Sequence, residues 1–151
     1  MLTDVQFEQL QRLSRKPRNA KVAEIVKDLF LNHGIDEQDG VIDAMDEPFD
    51  FKRYVRTGRD TLLSSYNGII ALNQFLSSGQ PGTQKHFELI LALYQYQPNN
   101  NTQKQLELRI VHQVPASRVA EITDTTVQHL SRSVSQYNKK QKMIEEVRAH
   151  F

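Results

Sequence analysis

Apolar residues in this chain recur three or four positions apart wherever a segment is long enough to show a period, and no segment shows convincing strand alternation. A helix turns every 3.6 residues and a strand alternates every two, so the spacing predicts an all-α, multi-helix protein. Val5, Phe7, Leu10 and Leu13 follow Thr3 and Gln6, which have capping-box spacing, and predict a helix over 4–14. Asn19 can cap a second stretch carrying Val22, Ala23, Ile25, Val26, Leu29 and Phe30, with Gly34 as its stop. A short helix is expected around 41–45, ended by Pro48. "FKRYV", the turn "RTGRD" and the apolar run "TLLSSYNGIIALNQFL" read as short helix, turn, longer helix. Two glycines and a proline in "SSGQPG", residues 77–82, break any periodic structure. Thr83 then opens the apolar helix "TQKHFELILALYQY", which Pro98 and the asparagines at 99–101 close, and "TQKQLELRIVHQ" forms the next.

Displacing the sequence by 80 positions brings Phe7 and Glu8 onto Phe87 and Glu88, Leu10 onto Ile90, Leu13 onto Leu93, Asn19 onto Asn99, and Phe30 and Leu31 onto Ile110 and Val111. The ordered match predicts two related helical modules in tandem, 1–78 and 83–151.

The residue types exclude several functions. There is no cysteine, hence no disulfide framework and no thiolate metal site. No apolar run reaches the roughly 18 to 20 residues that span a bilayer, and the acidic, amphipathic start does not resemble a leader, so a cytoplasmic protein with no membrane partner is expected. His33, His86, His112, His129 and His150 are scattered and lack helical metal-ligand spacing. In "IDEQDGVIDAMD" a calcium loop would need Ile35 as its first ligand, which has no side-chain oxygen. No phosphate loop or nucleophile elbow occurs, so neither an enzyme nor a cofactor or metal is expected.

The net charge of +1 conceals strong segregation. Asp36, Glu37, Asp39, Asp43, Asp46, Glu47 and Asp50 are followed by Lys52, Arg53, Arg56 and Arg59, and Arg132, Lys139, Lys140 and Lys142 cluster near the far end. Nucleic-acid binding depends on a local basic face, so a small net charge does not exclude it.

Residues 114–134, "VPASRVAEITDTTVQHLSRSV", bring the relevant features together. A short helix over 116–122 would turn Val119, Ala120 and Ile122 inward, Asp124 would make the turn, and Asp124 or Thr125 would cap a helix whose apolar stripe is Val127, Leu130, Val134 and Tyr137. Its other face would present Thr126, Gln128, His129, Arg132, Ser133 and Gln136, with no carboxylate between Thr125 and Lys142. Such side chains suit base edges and phosphates, so the pair reads as a helix-turn-helix whose helix 126–138 enters a major groove. Thr125 joins the base-reading set, and Ser117, Arg118, Lys139, Lys140 and Lys142 are the phosphate candidates.

At these positions, and upstream through "HFELILAL" and "RIVHQVPASRVA", the sequence resembles plasmid regulators of the KorA/TrfB type and fimbrial-operon regulators of the PapB type, over about residues 83–137. The shared features are an alanine in the first helix, a polar turn, and apolar Leu130 and Val134 four apart flanking Ser131. Asp124 stands where such motifs commonly have glycine, and the loop at 97–102 is slightly longer. The resemblance implies sequence-specific binding of double-stranded DNA by a transcriptional regulator, a repressor acting as a homodimer, from a plasmid or mobile element. A second, degenerate helix-turn-helix can be drawn at 50–75, with Gly58 at its turn and Lys52, Arg53, Arg56, Arg59, Ser64 and Ser65 on polar positions, but the apolar run there favours a core helix pair that packs the modules together. The tail adds Met143, Ile144, Val147 and Phe151 along one side, a stripe that needs cover from its own domain or a second copy. The alternative is a helical protein-interaction module or inhibitor that docks on a basic partner through the acidic stretch 36–50.

Overall fold

The computed structural model describes every residue from Met1 to Phe151 and contains eight α-helices and no strand. The chain forms two compact units, Met1–Asn67 with Ala149–Phe151, and Gly68–Arg148.

In the first unit, α1 (Asp4–Gln11) starts at the capping box in which Thr3 and Gln6 satisfy each other's backbone N–H groups. It ends before residue 14, because the Leu13 and Ser14 N–H groups fold back to Leu10 and Gln11, yet Leu13 stays buried. In α2 (Ala20–Asn32), the Asn19 side chain accepts from the N–H groups of Lys21 and Val22. A 3-10 turn (Ile35–Glu37) leads to α3 (Gln38–Ala44) and then α4 (Phe49–Leu76). Phe7, Leu10, Val26, Leu29, Phe30, Ile42, Val55 and Leu62 are buried. Each such side chain contributes about 1.5–3 kcal/mol relative to exposure.

The second helix-turn-helix that the sequence offers at 50–75 is absent, since α4 runs through Gly58 without a break. That glycine serves packing instead of turning: a Cβ there would come within 3.1 Å of Pro17 and 3.2 Å of Val26. At the chain's end, the His150 carbonyl accepts from the Gln6 side-chain amide and the Phe151 ring meets Tyr66 edge-on at 6.0 Å.

The second unit contains α5 (Gln84–Ala92), capped by Thr83, and α6 (Asn100–Leu106), capped by Asn99. A π-helical turn (Glu107–Val111) continues α6, and α7 (Ala116–Ile122) and α8 (Val127–Arg148) follow. Ile69, Leu72, Phe87, Ile90, Leu93, Leu106, Val119, Leu130, Tyr137, Ile144 and Val147 are buried. The division between units lies inside α4 and not at 77–82, where the sequence suggests a boundary. Gly68 explains why the end of α4 belongs here: a Cβ on it would lie 2.5 Å from Leu93. Ile144 and Val147 are fully covered and Met143 partly, so the tail's apolar stripe supplies no argument for a second copy.

The order of elements repeats. Thr3 and Thr83 cap α1 and α5, Asn19 and Asn99 cap α2 and α6, each pair 80 positions apart. The seven-residue helices α3 and α7, and the long helices α4 and α8, each begin 78 positions apart. Val55 and Ser133, Arg59 and Tyr137, and Ile69 and Val147 occupy matching positions on α4 and α8, and all six are buried.

Candidate nucleic-acid interface

The turn between α7 and α8 is built by Asp124. Its φ of 50° is left-handed, one of two such non-glycine residues in the chain. Asp tolerates this region better than most residues because its short polar side chain hydrogen-bonds locally. The Thr125 N–H reaches the Ala120 carbonyl at 2.9 Å and the Asp124 N–H reaches that of Glu121 at 3.4 Å, the paired bonds of a Schellman helix end. Thr123 fixes the same corner from inside: its hydroxyl donates to the Val119 carbonyl at 2.7 Å and its carbonyl accepts from the Asn101 side chain at 3.1 Å.

Thr126 starts α8, its hydroxyl accepting from the His129 N–H at 3.1 Å. Neither Asp124 nor Thr125 caps, because both backbones are committed to ending α7. Leu130, Ser133, Tyr137, Ile144 and Val147 form the inward face of α8. Ser133 is thus removed from the base-reading set: it lies three residues after Leu130 and four before Tyr137, on the buried stripe. Val127 and Ile122 are each 46% exposed and do not belong to the inward faces assigned to them from sequence. They flank the turn on its solvent side.

Opposite the buried stripe, Gln128, Arg132, Ser135, Lys139 and Lys142 are exposed at alternating spacings of four and three, a straight polar line about 21 Å long at 1.5 Å per residue. His129 and Gln136 are exposed beside it, and Ser131, Val134 and Asn138 border a shallow groove on its other side with Ser135, Lys139 and Lys142. Arg132, Lys139 and Lys142 have no carboxylate within ion-pair distance. Lys140 is half-buried, and desolvation pushes its ammonium pKa down. Ser117 and Arg118 are exposed on α7, but Arg118 is 3.5 Å from Glu121. Thr125 is half-buried. Sequence reasoning missed Ser135, although its position seven after Gln128 and three after Arg132 was a legible signal.

The basic residues of α4 have a different environment. The Arg56 guanidinium donates to the Asp43 carboxylate, and Lys52 donates to the Asp43 carbonyl at 2.8 Å. Arg59 is buried, its side chain only 7% exposed, and donates to Asp39 and to Asp60. Burial opposes its charge, but those carboxylates outweigh it and raise the pKa, while the Arg59 hydrogen bond holds Asp39 below the usual carboxylate range. Ser65 is buried and shares a 2.5 Å hydrogen bond with Ser14. Arg59 and Ser65 are therefore not available to DNA, and of the expected second set only Arg53 and Ser64 are exposed. The acidic stretch 36–50 is no free connector: besides Asp39 and Asp43, Glu47 pairs with Lys21 at 2.6 Å. No family model matches the sequence, and no curated protein or solved structure is significantly similar to it.

Proposed function

We propose that this protein is a sequence-specific, double-stranded DNA-binding transcriptional regulator in which α7 and α8 form a helix-turn-helix and α8 enters the major groove. The observation that carries the reading is the outward line of α8: Gln128, Arg132, Ser135, Lys139 and Lys142, exposed, free of carboxylates and following a turn of fixed geometry. Gln128 and Arg132 lie in the first turns of α8, where a recognition helix meets base edges, with His129 and Gln136 beside them. Lys139 and Lys142, about two and three turns beyond Arg132, reach the phosphates, with Ser117 and Arg118 of α7 as further backbone contacts. Thr126 keeps a lone pair and its proton for a base or phosphate after capping α8.

The resemblance to regulators of the KorA/TrfB and PapB types supports the same reading and favours a repressor of a plasmid or mobile element, acting in the cytoplasm as a homodimer on a two-fold site. The repeated element order supports two related modules, of which the second reads DNA. The alternative, docking on a basic partner through 36–50, is weakened because Asp39, Asp43 and Glu47 already engage basic residues of this chain. Selection of bound duplexes from a random pool tests the proposal. Enrichment of a two-fold-symmetric site is the expected outcome, and failure to retard any duplex at low salt would remove DNA reading in favour of protein docking.

A further inference from the structure

We propose that the first unit carries a separate nucleotide-binding cleft between the loop joining α1 to α2 and the outer face of α4. The cleft is about 600 Å³, within the range of small-ligand sites, and is lined by Arg15, Lys16 and Arg18 on one side and Tyr54, Thr57 and Thr61 on the other. Pro17, Val22 and Gly58 form its apolar floor, and no acidic side chain lines it. Gly58 shapes that floor, since its missing side chain lets Pro17 settle against the helix.

Each part matches one part of a nucleotide. Lys16 and Arg18 supply the charge and donors that a phosphate needs. Tyr54 is 58% exposed and has the Arg53 guanidinium over its ring at 5.6 Å. Its π-face can stack on a base in the same sequence-tolerant way that aromatic platforms hold single strands. The Thr57 and Thr61 hydroxyls donate to the carbonyls of Arg53 and Thr57 at 3.0 and 2.9 Å. Having committed their protons, they offer only lone pairs, which suit donors such as ribose hydroxyls or exocyclic amino groups. Duplex DNA keeps its bases stacked and cannot present this combination, so the ligand is a free nucleotide or a nucleotide of a single strand. The site is independent of the α8 line: Tyr54, Thr57 and Thr61 match Arg132, Ser135 and Lys139 in position 78 residues earlier, yet carry no charge.

The test is calorimetric titration of the full-length protein with ATP, inorganic triphosphate and a ten-residue single-stranded DNA. ATP or the oligonucleotide binds, with the stronger of the two identifying the source. Tyr54→Ala and the double substitution Lys16→Ala with Arg18→Ala each weaken that binding at least tenfold, Tyr54→Phe retains it, and none of them alters the melting temperature or duplex affinity appreciably. Triphosphate binding as tightly as ATP, or no binding of ATP or oligonucleotide to a folded protein, would overturn the cleft's assignment. Neither result touches the duplex reading, which is scored separately on double-stranded DNA.

Discussion

Two basic segments, 52–59 on α4 and 132–142 on α8, look alike in sequence and end in opposite environments. The first faces carboxylates supplied by the chain: Asp39 for Arg59, Asp43 for Arg56, and the Asp43 carbonyl for Lys52. The second has no acid on its own helix before Glu145, and Arg132, Lys139 and Lys142 project without partners. A cation already satisfied within the fold has little to gain from a phosphate, whereas an unpaired exposed cation has its full interaction to offer. Charge density along a sequence therefore identifies basic segments, but only the tertiary partners separate a structural one from one that can bind a polyanion.

The largest expected effect separates the two by stability. Arg59→Ala removes a buried side chain and its charged hydrogen bonds, and should cost about 2–3 kcal/mol in denaturant unfolding. Below 0.5 kcal/mol, Arg59 would count as a surface cation and the contrast would fail. Arg132→Ala should do the reverse: less than about 0.5 kcal/mol in stability, but about 1–3 kcal/mol in affinity for the selected duplex, with relaxed preference at one base pair. Equal losses on all sequences would make Arg132 a phosphate-binding residue.

Asp124 tests whether the turn's geometry matters. At φ 50°, Asp124→Val should cost about 1–2 kcal/mol, while Asp124→Gly should be neutral or stabilising by up to about 1 kcal/mol and retain duplex binding. Equal stability of the valine and glycine variants would show that the left-handed turn is not required.

The smallest effect expected is a pH dependence in the second unit. His86 is buried, and its Nδ1 accepts from the Gly82 N–H at 3.1 Å, a bond that needs the neutral ring. Desolvation lowers its pKa, so the unfolded chain takes up a proton near pH 6.5 that the folded one refuses. This contribution to stability is present above that pH and is lost as the pH falls below it. Unfolding midpoints measured from pH 7.5 to 5 should decline in the wild type and less in His86→Gln; parallel curves would exclude His86 as the cause. At the other extreme, burial pushes the Tyr94 phenol to about 12 and Tyr137 higher still, so absorbance at 295 nm should show these two titrating after the exposed tyrosines.

The features legible in sequence were those whose physics is local. Thr3, Asn19, Thr83 and Asn99 cap because the partner N–H groups lie two or three residues away, and the long helices follow from apolar spacing. Gly58 was illegible because a glycine reads as a turn until the neighbour it admits is known, here Pro17, and the close approach of Leu93 to Gly68 joins residues 25 positions apart. Arg59 looked like a surface cation because Asp39 lies 20 positions away. On the candidate interface, the acid-free helix and the Asp124 turn could be read directly. The phase of α8 could not be read to the residue. Ser133 fell on the buried side and Val127 outside it because the inward stripe is set by Leu130, Tyr137 and Ile144 packing in the second unit.

The salt dependence of duplex binding tests the central contrast most directly. Plotted as log affinity against log salt concentration, the slope should become shallower by about 1.8 in the double variant Lys139→Ala, Lys142→Ala, at about 0.9 for each phosphate no longer neutralised. The counterpart variant Lys52→Ala, Arg53→Ala, Arg56→Ala should keep the wild-type slope. An unchanged slope in the α8 variant, or an equal reduction in the α4 variant, would contradict the assignment of α8 as the DNA-reading helix.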